Sequence, residues 1–186
     1  MLEVADVRYK ADITAGALKL PESRLIADLL LRQVDPEGWK DAIVTKNVLQ
    51  VRNPATARRL TKLIRGRLKM MAPESWNLVR DGKGTVAVHA VLAAAVKHSP
   101  LLGDFLEIVV AEQYRLFIQA LSPKRFADYL DGCRDRDPDM PQWSETMSKR
   151  LRSSVFQMLD RCMSRNAGNL SMISAATRNS TASDRN

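Results

Sequence analysis

Three dipeptides partition this chain: Asn53-Pro54, Ser99-Pro100 and Ser122-Pro123. In each, a side chain that accepts a backbone N–H precedes a proline whose fixed φ suits the first helical position. Pro21 likewise suits the first turn of a helix over 21–33, where Ile26, Leu29 and Leu30 share a face. Residues 35–50 read as a second helix with Trp39, Ile43 and Val44 inward. Further helices are expected over 54–71, 73–80, 85–98, 100–121, 123–134 and 144–161. The stretch TVAVHAV alternates as a strand does, but the alanine run after it favours a buried helix. DGKG (81–84) and DRDPDMPQ (135–142) are breaks. The expected fold is all-α, either one compact multi-helix domain or two small helical lobes over 10–82 and 84–165. The polar, Ser/Asn/Thr-rich tail, 166–186, is expected to be disordered.

Charge narrows the partners. The formal net charge is +8, and it is unevenly distributed. Residues 42–73 hold 8 basic and no acidic side chains. On a helix at about 100° per residue, Arg58, Lys62, Arg65 and Lys69 form a narrow stripe, with Arg59 beside it. Ala57, Leu60, Ile64, Leu68 and Met71 take the opposite side, and Arg67 falls nearer that apolar side. Arg52 and Lys46 extend the charge upstream. Like charges four residues apart cost a few tenths of a kcal/mol per pair, so a face of this kind suits solubility or a polyanion. Open N–H groups near Asn53–Ala55 would add an anion contact. Lys149, Arg150 and Arg152, followed by Arg161 and Arg165, form a second, weaker cluster over an apolar face of Leu151, Val155 and Leu159.

Nothing resembles an active site. His89 sits in the most apolar helix and reads as a core histidine, while His98 lies at a helix end where it can cap carbonyls. Cys133 and Cys162 have neither metal-site nor disulfide-framework spacing. Asp135, Asp137 and Asp139 lack the glycine and glutamate of a calcium loop and read as a solvated turn. DGKGT does not end as a phosphate-binding loop does. No enzyme, cofactor or metal is expected. Trp39, Trp76, Trp143, Phe105, Phe117 and Phe126 read as core, and with 5% aromatic residues a base-stacking platform is poorly supported. No apolar run approaches the roughly 18 residues of a membrane span, and no apolar leader is visible, so the expected setting is the reducing cytoplasm.

Several ordered blocks carry a family likeness. RLIADLLL (24–31), GWKDAIV (38–44), NVLQVRNPATARR (47–59), LAAAVKHSPLLGDFLEIVV (92–110) and CRDRDPDMPQWSE (133–145) resemble the BrxA family, a component of BREX bacteriophage-defence systems. The likeness runs from about residue 10 to about 159. It implies a small, all-helical, non-catalytic protein that binds double-stranded DNA beside other BREX proteins, which include a methyltransferase, an ATPase and a phosphatase-like protein. After Leu159 the chain departs from the family's Gly-Tyr-Leu turn and strand-like stretch, which puts a wing-like DNA contact there in doubt.

The resulting expectation is a sequence-tolerant duplex DNA binder. Arg52, Arg58, Arg59, Lys62, Arg65 and Lys69 are the phosphate contacts, with Lys149, Arg150 and Arg152 secondary. Two alternatives share the same face: a scaffold docking an acidic surface of another BREX protein, and an RNA binder.

Overall fold

The structure, a computed structural model, describes residues 7–14, 18–117 and 121–163. Every secondary-structure element among them is helical. By packing, the chain divides into two units, one from Leu18 to His98 and the other from Ser99 onward together with the segment before Leu18. The DGKG turn, expected as the boundary between lobes, therefore lies inside the first unit.

In the first unit α1 spans Leu20–Leu31, with Pro21 in its first turn and Ile26, Leu29 and Leu30 buried as the spacing predicts. Asp35 caps α2 (Pro36–Lys40) by accepting from the Gly38 N–H at 2.7 Å. The chain then widens into a π-helical turn over Asp41–Thr45, closed by the Lys46 N–H donating to the Asp41 carbonyl at 2.8 Å. The sequence predicts helix to residue 50, but it stops at Thr45. The Asn47 side chain brackets the backbone of Val51, accepting from its N–H and donating to its carbonyl, both at 3.1 Å. Asn47 itself sits at φ 45°, a left-handed conformation that asparagine tolerates.

Helix α3 (Pro54–Lys69) begins where Asn53-Pro54 predicts, the Asn53 side chain accepting from the Ala55 N–H at 2.8 Å. It ends two residues before the expected position, where the Trp76 indole donates to the Leu68 carbonyl at 2.8 Å and satisfies an acceptor of the last turn. Helices α4 (Ser75–Asp81) and α5 (Thr85–His98) follow. Between them, Arg24 reaches from α1 to donate to the carbonyls of Arg80 (3.1 Å) and Gly82 (2.6 Å). A side chain at Gly82 would place its Cβ 2.1 Å from the Leu78 carbonyl oxygen, so only glycine fits that turn. The core of this unit joins Ile26, Ile64, Leu68, Val88, Val91 and Ala95. His89 is exposed rather than core, because α5 buries only the face of Ala87, Val88, Ala90, Val91, Ala94 and Ala95.

In the second unit the helix launched by Ser99-Pro100 runs through α6 (Pro100–Asp104), a π-helical turn (Phe105–Val110) and α7 (Ala111–Arg115). It stops short of the expected residue 121, and Phe117 takes φ 54°. Phe117, expected in the core, is 90% exposed. Helix α8 (Pro123–Arg136) starts at Ser122, whose hydroxyl accepts from the Arg125 N–H at 3.3 Å. Helix α9 (Glu145–Met163) starts after Ser144 and buries Leu151, Val155 and Leu159 as expected. Phe105 packs edge-on against Phe126 and Tyr129, each with ring centroids 5.1 Å apart. The segment around Tyr9 belongs to this unit. Tyr9 is fully buried, donates to Asp104 at 2.6 Å and accepts from Arg136 at 3.1 Å, while its N–H donates to Asp137 at 3.1 Å. Asp137, expected in a solvated turn, thus anchors the N-terminal segment.

No single helix among the described residues is long and apolar enough to cross a membrane. The expectations for the tail and for the departure after Leu159 lie mostly outside the described residues.

Candidate nucleic-acid interface

The apolar side of α3 decides where its cations go. Ala57, Ile64 and Leu68 are buried in the core of the first unit, which turns the opposite stripe outward. Leu60 and Met71, assigned to the apolar side, are only half-buried. Arg58, Arg59, Lys62 and Lys69 are exposed, as is Arg52 before the helix. Among the described residues none of these five has a carboxylate partner. Arg65 is half-buried, its guanidinium lying over the Trp39 ring at 4.5 Å. That contact is electrostatically favourable and holds the side chain in place. Arg67 is 2% exposed and belongs to the interior, in line with its place near the apolar side.

Two sequence expectations change at this helix. Lys46, expected to extend the charge, is paired with Asp41 at 2.7 Å. The helix start also offers fewer free donors than expected. The Ala55 N–H is taken by the Asn53 side chain and the Ala57 N–H by the Asn53 carbonyl.

The stripe forms one wall of a groove of about 550 Å³. Arg58, Lys62, Arg65 and Lys69 line it from α3. Trp39, Ile43 and Val44 line it from α2 and its π-helical extension. The extra residue of the π turn is a local irregularity of a type often found at functional sites. No carboxylate of the described residues lines the groove. Its apolar lining was not anticipated, because residues 39–44 and 58–69 read as two separate helices until packed together.

The second cluster differs. Lys149 pairs with Glu145 at 2.9 Å, and Arg134 on α8 pairs with Asp131. A groove of about 270 Å³ there mixes both signs, with Arg152 and Lys149 facing Glu145 and Asp131. Arg150 is exposed and Arg152 half-buried. The Lys149 ammonium, by hydrogen bond and then by charge, holds the Glu145 carboxyl below the usual carboxylate range. Arg165 lies outside the described residues.

The two cysteines are buried and unbonded to each other. Burial pushes the Cys133 thiol up and the Cys162 thiol up to about 11, so neither is an activated nucleophile. No cluster of three or more metal-ligating side chains occurs among the described residues.

The family model described as BrxA matches residues 7–167. The BREX protein BrxA of Paramagnetospirillum magneticum is 52% identical over 156 residues, covering 84% of this chain and 78% of that protein. The BREX protein BrxA of Escherichia coli O9:H4 is 29% identical over 154 residues, covering 83% and 72%. A crystal structure of an uncharacterized protein from Magnetospirillum magneticum is similar at a TM-score of 0.77 and 43% identity, covering 95% of this chain and 93% of that one. With an all-helical fold and a family match across most of its length, the chain belongs to the BrxA family of BREX defence-system proteins.

Proposed function

We propose that this chain binds double-stranded DNA with little sequence preference, through the basic stripe of α3, and that it acts without catalysis in the cytoplasm beside other BREX proteins. Arg58, Lys62, Arg65 and Lys69 are the central contacts, and Arg52 and Arg59 flank them. Lys149, Arg150 and Arg152 contribute less.

The observation that supports this reading is the stripe itself. It presents one sign of charge over the twelve residues from Arg58 to Lys69, about 16 Å of helix, with no carboxylate among the described residues lining the groove beside it. At about 3.4 Å of duplex axis per phosphate on one strand, that length matches four to five phosphates. Contacts to phosphate position a protein without reading sequence, so discrimination between duplexes should be weak.

Fluorescence anisotropy with a labelled duplex of about 30 base pairs, titrated across salt, tests the reading; log K should fall against log salt with a slope of roughly −4 to −5. Replacing Arg58, Lys62, Arg65 or Lys69 singly by Ala should shrink that slope by about one unit each. A flat response, or slopes unmoved by these substitutions, would take the stripe out of DNA binding.

A further inference from the structure

Phosphate contacts make no use of the apolar lining of the α3 groove. A DNA backbone resting on cations gains nothing from an indole and two branched aliphatic side chains, yet Trp39, Ile43 and the half-buried Val44 line the same groove as the stripe. Two polar groups in the same place also lack partners. Thr61 is 9% exposed, lines the groove, and its hydroxyl is buried with no hydrogen bond among the described residues. Arg65 Nε is buried in the same condition, with its guanidinium against Trp39. A buried polar group without a partner is destabilising, and an entering acceptor would relieve that.

The ligand that matches this lining is both apolar and anionic. It needs aliphatic or aromatic groups for the apolar lining, carboxylates for Arg58, Lys62 and Lys69, and an acceptor oxygen for Thr61. The volume lies in the range of sites that enclose a compact ligand or several side chains. An amphipathic helix supplies all three, its apolar groups recurring at i, i+3 and i+4 with acids alongside.

We infer that the groove between α2 with its π-helical extension and α3 receives an acidic amphipathic helical segment of a partner protein. The segment's apolar side chains sit on Trp39, Ile43 and Val44, and its carboxylates pair with Arg58, Lys62 and Lys69. It uses the same cations as the duplex, so segment and DNA exclude one another. The seating of the segment in the groove goes beyond DNA binding and stands by itself, whereas the mutual exclusion rests on the duplex using the stripe.

The test uses the full chain and a fluorescein-labelled synthetic helix of about 16 residues, with Leu on one face and Glu elsewhere. It should bind saturably at one site, displace labelled duplex, and bind at least about tenfold more tightly than polyglutamate of equal length. Val44→Trp fills the groove without altering charge; it should weaken the peptide about tenfold or more and the duplex by less than about threefold. In the unsubstituted chain, the Ile43 and Val44 methyl resonances should shift with peptide and stay in place with duplex. Equal affinity for polyglutamate, unmoved methyl resonances, or a folded Val44→Trp chain with full peptide affinity would overturn the inference. Failure of DNA binding would appear separately, as a duplex titration without salt-dependent affinity while the peptide still bound.

Discussion

Helices α3 and α9 both carry Lys and Arg at helical spacing over a buried apolar face, one in each unit. They differ in their carboxylates. Helix α3 has none, and the only carboxylate from the neighbouring π turn is taken up by Lys46. Helix α9 begins with Glu145, which lies four residues before Lys149 and pairs with it, in the favourable order. The α3 pattern is a like-charge face that costs stability in isolation, and the α9 pattern is a face whose Lys149 is neutralised by a carboxylate of its own helix. Counting gives six basic residues on α3 and four on α9, and pairing separates the two helices further.

The largest expected effect breaks the comparison at its strong side. Arg58→Glu with Lys62→Glu should lower duplex affinity by roughly hundredfold or more at moderate salt, since it removes two phosphate contacts and adds two repulsions. Anisotropy on a chain with unchanged circular dichroism checks it, and affinity within a few-fold of the parent would end the distinction.

Arg67 tests whether the helix or only its outward face matters. It shares α3 with the stripe but is 2% exposed. Arg67→Ala should destabilise the fold by about 2–4 kcal/mol through lost packing of a long side chain. Thermal denaturation should show the drop while duplex affinity of the folded chain stays near that of the parent. The reverse pattern would move Arg67 among the contacts.

Converting α9 toward the α3 pattern sharpens the contrast. Glu145→Gln frees Lys149, and the expected outcome is a duplex affinity gain of about two- to threefold at low salt, fading as salt rises. No gain would mean that α9 does not approach the duplex at all.

The smallest effect is one of pH. The Glu145 carboxyl has a folded pKa depressed by Lys149. Its contribution to stability is therefore fully present above the unfolded value, near 4.3 or so, and is lost as pH falls through the folded pKa. Over that same window Lys149 loses its counter-charge. In an Arg58→Ala/Lys62→Ala chain, which adds no new carboxylate, duplex affinity should rise slightly on acidification, and less so once Glu145→Gln is added. Equal rises in both chains would separate the effect from Glu145.

Much of this was legible in the residues. Asn53-Pro54, Ser99-Pro100 and Ser122-Pro123 mark helix starts because capping and proline geometry are local. The stripe on α3 followed from helical spacing alone. The end of α2 was not legible, because it depends on how one asparagine side chain folds back on Val51. Nor was the exposure of His89 and Phe117, since apolar surroundings in sequence do not reveal which neighbours arrive in space. Tyr9 meets Asp104 and Arg136 across 95 and 127 residues, a separation no periodicity reports.

By itself, then, the sequence determined the helical class, most helix starts and the one-sided charge of α3, because each depends on neighbours within a few residues. Only tertiary structure decided which cations remain unpaired, that Trp39 lies against Arg65, and that Trp39, Ile43 and Val44 line the same groove as the stripe. These depend on which helix faces meet, and packing between distant segments sets that.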